Sequence, residues 1–426
     1  MKKALVLSGG GTKGAYQAGV MKAFIECGMD DWDIVTGTSV GALHAALIVQ
    51  REYQDLFDIY QRLEPSEIIG GYLPKEKKLE NIVADRKEIH HTFVQYIKDK
   101  GLDVDPLKKN IHDLFHPEKF FSSPIDFGCV AAEHKGHDGV YVTKEMMKKN
   151  GEKWLLASAS AYPVFPVCEI DGHAYVDGGY YDNLPIDEAL QFGSDQVIAI
   201  DLNPEPVHPQ FLHRSNIIYM FPKADTGDFL DFSKEKIRRL LVLGYNDGHK
   251  ITGRYTGHKY TFYPYGIPHA FAKWYTEVEM LETKIYQASK LGQLVRSQQY
   301  VIDTIADHMH LAYVTEGELF AGLMDEIMDL FEMDDEQVYS LDEVYQKLWQ
   351  ETEEARSSGF GHKNGVRELA KFTTRSDRRG VLLQMLHMLY HREHILFKEE
   401  AGLVWYPLER ACAQFLYDWF EERGSK

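Results

Sequence analysis

A serine held between two glycines where a β-branched run gives way to a helix is a nucleophile candidate, and DIVTGTSVGALHAAL sets that pattern at Gly37-Thr38-Ser39-Val40-Gly41. Small neighbours allow close backbone approach around Ser39, and the N-terminus of a following helix favours the negative charge that develops in acyl transfer. The same residues also suit a helix cap, in which the hydroxyl merely accepts a backbone hydrogen bond. Because a serine hydroxyl is a poor nucleophile without a base, the partners must decide between these readings.

Nineteen histidines are present, yet none is tied to this corner by spacing. His44 follows Ser39 by five positions on the same expected helix and points roughly away from it. His391 and His394 in HREH have helical i,i+3 spacing but lack a third ligand, so no metal and no cofactor is assigned. The stronger base is Asp177 in VDGGYYDN, a carboxylate that ends a strand and is followed by Gly178-Gly179. With no cation beside it, it can take the serine proton directly when desolvation raises its pKa. A turn cap or a calcium ligand remains open for Asp177, while Asp182 and Asn183 read as residues that orient the following loop.

The third element is Ser8-Gly9-Gly10-Gly11-Thr12-Lys13-Gly14, whose amides precede a helix and make an anion nest. It also satisfies G-x-G-x-x-G after a strand, which opens a nucleotide reading. A dinucleotide site wants an acid at the end of the second strand, but here that strand runs into Gly37-Thr38-Ser39. A Walker loop wants lysine before Ser or Thr, and Lys13 precedes Gly14. With Ser39 at the same sheet edge, the nest is better used on a tetrahedral oxyanion.

These residues need elements to hold them. Ala4 to Leu7 is expected as a buried strand, and Gly14 to Cys27 as a helix with apolar residues at 15, 18, 20, 21, 24 and 25. Asp33 to Thr36 and Val40 to Val49 repeat the strand-turn-helix order, which favours a parallel sheet covered by helices. Phe127 to Ala131 and Gly139 to Val142 read as a hairpin around EHKGHDG. Trp154 to Ala161 reads as a helix stopped by Pro163 and Pro166. A strand to Val176, a helix from Pro185 to Gln191 and a strand from Gln196 to Ile200 follow. Beyond about residue 280 the pattern is helical, with capping boxes at Thr315/Glu318 and Ser340/Glu343, helices at Arg379 to Leu396 and Pro407 to Glu421, and a linker at Gly359 to Asn364.

Bulk properties bound the class. The chain has 426 residues, with 44% hydrophobic and 26% charged content, ordinary for a folded globular protein. Cys27, Cys129, Cys168 and Cys412 lie far apart, unlike a disulfide framework or a cysteine-rich zinc site. The apolar run Ala4 to Leu7 is too short for a signal peptide, and no stretch approaches a spanning helix, so cytoplasm is expected, with peripheral membrane contact left open. The net charge of -18 is concentrated in residues 301–360, where 16 acids face only Lys347 and Arg356; this field disfavours nucleic acid and anionic lipid.

The ordered set GGGTKG (9–14), GTSVG (37–41), ASASAYPVFPV (157–167) and DGGYYDNLP (177–185) resembles the patatin-like phospholipase family, in its bacterial-type serine acylhydrolases, over roughly residues 1–205. The resemblance implies a three-layer α/β/α hydrolase core, taken as residues 1–265, with a largely helical C-terminal region at 280–426 of unassigned role. It implies a Ser-Asp dyad, with Ser39 similar to the nucleophile and Asp177 to its base, and oxyanion donors at Gly10, Gly11 and Thr12. Gly9, Gly14, Gly37, Gly41, Gly178 and Gly179 fall in the supporting positions, and Lys13 matches a basic position expected to hold the loop. The implied reaction is hydrolysis of acyl esters of lipids, of the phospholipase A or lysophospholipase type, through an acyl-serine intermediate. Its partner is a lipid or other acyl-ester substrate, with transient membrane-surface contact left open. An acyl groove is one reading of residues 52–120, where Phe57, Ile59, Ile68, Ile69, Tyr72 and Leu73 either line a lid or simply pack a core. The alternative is a catalytically inactive lipid- or partner-binding protein with the same core.

Overall fold

The computed structural model describes residues 1–62, 104–288, 300–311, 314–357, 378–391 and 406–424. The chain divides into two units, Met1–Thr252 and Gly253–Lys426.

In the first unit, short apolar runs closed by glycine turns become strands buried on both faces. β1 (Lys3–Leu7) leads through a 3-10 turn at Gly11–Lys13 into α1 (Gly14–Glu26). β2 (Ile34–Thr38) leads into α2 (Val40–Gln50) and then α3 (Tyr53–Arg62). After α4 (Asp105–Leu114) and α5 (Pro117–Ser122) comes the hairpin of β3 (Asp126–Glu133) and β4 (Gly139–Thr143). α6 (Met147–Ser158), the antiparallel pair β5 (Cys168–Ile170) and β6 (His173–Asp177), α7 (Ile186–Gln191), β7 (Gln196–Ile200), β8 (Ile217–Met220) and α8 (Lys234–Ile251) complete it.

The strands form one sheet in the order β5-β6-β3-β2-β1-β7-β8, with β4 also paired to β3. From β3 to β8 the pairs are parallel. Along β1 the side chains alternate between two cores: Leu5 and Leu7 pack with Tyr16, Phe24, Ile48 and Leu240, whereas Ala4 and Val6 pack with Ile186 and Ala189. Helices therefore cover both faces, and the core is the three-layer α/β/α arrangement expected from the repeated strand-turn-helix units.

One register detail positions the site. β4 runs along one side of β3 at Gly128 to Ala132, so β2 and β6 share the other side. There Val130 faces Thr38, and the next residue, Ala131, faces Asp177. Parallel β2 and antiparallel β6 thus run head-on along β3 and stop at adjacent positions, bringing the residue after β2, Ser39, to the end of β6.

The second unit is largely helical. β9 (Thr261–Phe262) precedes α9 (His269–Ala288), α10 (Tyr300–His308) and α11 (Glu316–Leu330). β10 (Val338–Tyr339) pairs with β9, and α12 (Leu341–Glu351), α13 (Glu353–Arg356), α14 (Arg378–His391) and α15 (Pro407–Gly424) follow. Both expected capping boxes form, with Thr315 and Ser340 each accepting from the backbone of a glutamate three residues on. The aromatic stripes are core: Phe271, Trp274, Phe320, Phe415 and Trp419 are buried together. The expected linker at Gly359 to Asn364, and the end of the helix expected to reach Leu396, lie outside the described residues. Among the described residues no helix is long and apolar enough to cross a membrane.

Several short strands were not anticipated, β5 with three residues, β8 with four and β9 and β10 with two each, nor was α8, which lies where no period had been assigned. α6 begins seven residues before the expected Trp154, because its first half, MKKNGEK, is polar and is kinked at Asn150.

Candidate active site

Ser39 occupies the corner between β2 and α2 with φ 56 and ψ -126, a conformation that L-residues avoid at a cost of about 1–3 kcal/mol. Close packing imposes it. A Cβ on Gly37 would lie 2.3 Å from the Gly41 carbonyl oxygen, and one on Gly41 would lie 2.3 Å from that of Leu7. Only glycine at both flanks lets α2 start against the ends of β1 and β2. The Ser39 N–H donates to Ser158 Oγ at 3.0 Å, so the end of α6 also fixes the corner.

Asp177 ends β6 and is buried. Its N–H donates to the Ser160 carbonyl at 2.9 Å, and its Oδ1 accepts the Gly179 N–H at 2.8 Å. Burial pushes the carboxyl up to about 6, opposed by hydrogen bonds from the Ser39 side chain and the Gly179 backbone. The next residue has no freedom to grow, since a Cβ on Gly178 would meet the Val130 carbonyl oxygen at 2.2 Å. The structure therefore brings Ser39 and Asp177 together, and among the described residues no histidine is hydrogen-bonded to either.

The glycine loop lies on the other side of Ser39. Gly9 packs against it so closely that a Cβ there would approach Ser39 Cβ to 2.9 Å and Asn183 Oδ1 to 2.6 Å. Gly9 N–H donates to the Asn183 carbonyl at 3.1 Å, and Asn183 Nδ2 returns a bond to the Gly9 carbonyl at 3.3 Å. Gly10 and Gly11 line the adjacent cavity, and their N–H groups have no acceptor among the described residues. Thr12 differs: its N–H and hydroxyl both donate to the Phe229 carbonyl, at 2.9 and 3.0 Å. Lys13 lines the cavity, and its ammonium has no ion-pair or hydrogen-bond partner among the described residues. Holding the loop falls instead to Lys236, which donates to the Asp228 carbonyl and, at 3.4 Å, to Thr12 Oγ1. No spacing in the sequence links Lys236 to a loop more than 200 residues earlier.

Asp182 and Asn183 orient the site, as their place after the glycine turn suggested. Thr38 Oγ1 donates to the Asp182 carbonyl at 2.8 Å. The Asp182 carboxylate accepts from Tyr141 at 3.0 Å and Leu184 N–H at 3.1 Å, and lies 3.0 Å from His208 Nε2. That bond holds the His208 pKa above its ordinary value. Behind it, Glu188 is buried with both carboxyl oxygens unpartnered, and burial, with Asp182 nearby, pushes it up to about 9. Tyr141, His208 and Glu188 carried no sequence signal, because each meets the motif only through the sheet.

The cavity beside Ser39 and Asp177 measures about 460 Å³. Its walls are mainly apolar, with Leu43, Leu47, Ile59, Ile111, Leu114 and Phe165 among them. Of the residues read as groove or core, Ile59 lines the cavity, Phe57 packs against the core, and Ile68, Ile69, Tyr72 and Leu73 lie outside the described residues. His44 is the one histidine on the described walls, and both its ring nitrogens are engaged, by Gln17 and Tyr60 at 2.8 Å each. It is not free to act as a base. No group of side chains suited to a metal ion occurs among the described residues.

A nucleophile-like serine at a strained corner, a buried carboxylate on its hydroxyl, unpaired glycine amides and an apolar chamber agree with one family. The model of the family described as Patatin-like phospholipase matches residues 5–190. Those residues are similar to that family. The patatin-like phospholipase domain-containing protein 7 of Mus musculus is 30% identical over 205 residues, 47% of this chain and 13% of its own length. Neuropathy target esterase sws of Drosophila melanogaster is 31% identical over 210 residues, again 47% of this chain and 13% of its own. The chain therefore spans about an eighth of the length of these curated relatives. The crystal structure of VipD from Legionella pneumophila aligns over 98% of this chain and 91% of its own at 14% identity, with a TM-score of 0.37.

Proposed function

We propose that this protein is a serine acylhydrolase that cleaves acyl esters of lipids, of the phospholipase A or lysophospholipase type, through a Ser39–Asp177 dyad. The observation that carries the reading is the hydrogen bond from the Ser39 side chain to the buried Asp177 carboxyl, beside a mainly apolar chamber that Gly10 and Gly11 also line. A base with its pKa near 6 is largely ionised at neutral pH yet still basic enough to take a proton in the transition state.

In the proposed reaction the acyl chain lies in the chamber and its carbonyl carbon meets Ser39 Oγ. As the Oγ–C bond forms, the serine proton passes to Asp177, and the carbonyl oxygen becomes an anion facing the Gly10 and Gly11 amides, each such donor worth roughly 3 kcal/mol. Collapse breaks the ester C–O bond; the departing alcohol or lysolipid takes the proton from Asp177 and leaves an acyl-Ser39 ester. Water then gives its proton to Asp177 and attacks that ester. The second collapse expels the Ser39 oxygen, which recovers the proton, and frees the fatty acid. Thr12, with its N–H on Phe229, is left out of the donor set in this conformation.

Labelling with a fluorophosphonate, together with turnover of a lipid ester library followed by product mass, tests this reading. Ser39→Ala is expected to abolish both labelling and turnover, and Asp177→Asn to depress both. Labelling that survives Ser39→Ala, or lipid binding without turnover across the library, would overturn it in favour of an inactive lipid-binding core.

A further inference from the structure

The reacting groups sit on three separate elements, and a buried chain of polar side chains ties those elements together. Gln17 is on α1, directly behind the glycine loop; His44 is on α2, one turn past Ser39; Tyr60 is on α3, which walls the cavity through Ile59 and Tyr60 itself. Tyr60 hydroxyl to His44 Nε2 is 2.8 Å, His44 Nδ1 to Gln17 Oε1 is 2.8 Å, and Gln17 Nε2 to the Ser8 carbonyl is 2.9 Å. Gln17 Nε2 also approaches the Ile200 carbonyl at 3.4 Å. All three side chains are buried.

The direction of the chain follows from its ends. Two backbone carbonyls can only accept, so the Gln17 amide turns its NH₂ to them and its oxygen to His44. His44 must then donate from Nδ1, which leaves Nε2 as the acceptor for the Tyr60 hydroxyl. Burial holds His44 neutral, with its pKa near 3, so this tautomer persists across the physiological range. The residue at the end of the chain, Ser8, precedes Gly9, and its hydroxyl accepts the Leu202 N–H at 2.8 Å. At the other end the Tyr60 hydroxyl is wedged against the start of α1, where a Cβ on Gly14 would come within 2.2 Å of it.

The geometry points to a positioning relay: Tyr60, His44 and Gln17 transmit acyl-chain occupancy of the cavity to the oxyanion loop. The inference rests on the hydrolase reading above. α3 fully buries only Leu56 and Tyr60; Ile59, on the cavity wall, packs against the core but stays partly exposed, so apolar surface is left there for a ligand to cover. A long acyl chain supplies apolar contact to Ile59 and Tyr60, holds the hydroxyl on His44, and through Gln17 holds the Ser8 carbonyl and the Gly9–Gly11 amides that follow it. A short chain leaves that face of α3 empty. Binding energy from the remote part of the substrate is thereby spent on the chemical step, so it appears in kcat as well as KM.

The test uses the full chain on the p-nitrophenyl esters of butyrate and decanoate, with kcat and KM measured separately for the native sequence, Tyr60→Phe, Gln17→Leu and Tyr53→Phe. Tyr53 lies on the same helix outside the relay, with its hydroxyl on the Asp30 carbonyl at 3.4 Å, and controls for general loosening of α3. The native protein is expected to have the higher kcat on decanoate. Each relay variant leaves a buried partner unpaired and should cut the decanoate kcat about tenfold while moving its KM and the butyrate kcat about twofold or less. Tyr53→Phe should keep the native ratio. Gln17→Leu breaks the relay from a different helix, so its result stands if Tyr60→Phe melts early. Equal native kcat on the two esters, a loss confined to KM, or equal flattening by Tyr53→Phe would overturn the relay while leaving the hydrolase reading intact. Turnover of neither ester by the native protein would remove both.

Discussion

Replacing Asp177 with asparagine separates its chemical role from its structural cost. The carboxyl is buried and its pKa is lifted from an ordinary 3.8 to about 6, chiefly by desolvation. A raised folded-state value means that ionisation opposes folding. Stability is fully present below about pH 4, falls as pH rises through about 6, and is level above that. A shift of about two pH units amounts to about 3 kcal/mol across that window. Asparagine keeps the shape and the acceptor for the Gly179 N–H but cannot ionise. Urea denaturation between pH 4.5 and 8 should therefore show Asp177→Asn gaining on the native protein as pH rises, by up to about 3 kcal/mol at neutral pH. Turnover should move the other way. Loss of a general base costs about 10²- to 10⁴-fold, and in the native protein kcat/KM should fall about tenfold per pH unit below 6. Parallel stability curves for the two proteins, or a native rate profile without a break near pH 6, would refute the assignment of Asp177 as a buried base.

Other substitutions test the packing around this pair. Gly178→Ala drives a methyl onto the Val130 carbonyl and should destabilise the protein by about 1–3 kcal/mol in urea denaturation while also displacing Asp177. Ser39→Gly should prove about 1 kcal/mol more stable than Ser39→Ala, since both lack the hydroxyl but only glycine accepts φ 56 without strain. Glu188, raised from 4.5 to about 9, makes stability fall as pH rises between those values; Glu188→Gln should flatten that slope, and an unchanged slope would count against a buried neutral carboxyl there.

Much of this site could be read from the sequence because its parts are local. Gly37 to Gly41 encode a corner in five residues, Asp177 to Gly179 encode the strand end and its turn, and the strand-turn-helix rhythm of residues 4–50 encodes the parallel core. What escaped was set by tertiary packing. Ser158 and Ser160 brace the dyad through single bonds from a helix end, Lys236 and the Phe229 carbonyl grip Thr12 from far along the chain, and Tyr141 and His208 meet at Asp182 only because the sheet order brings them there. His44 shows the limit of helical geometry as a guide. Its position does turn it away from Ser39, but the direction it takes is into the cavity wall and the contact with Gln17.

The head-on meeting of β2 and β6 would let two residues suffice in the proposed mechanism. In a dyad spanned by loops, a third group is needed to orient the base, since a free side chain samples several rotamers. Here Asp177 ends a strand whose register on β3 is one residue from that of the strand leading to Ser39, and the Gly179 amide fixes one carboxyl oxygen. Orientation therefore comes from sheet register, which cannot slip by one residue without turning the buried faces of β6 outward. The same arrangement concentrates the costs, because a strained φ at Ser39 and an ionised carboxylate at Asp177 lie side by side. Native packing must offset both, which is why the neighbours of the dyad are glycines at 9, 37, 41 and 178, each pressed against another segment's atoms at distances no larger residue could hold.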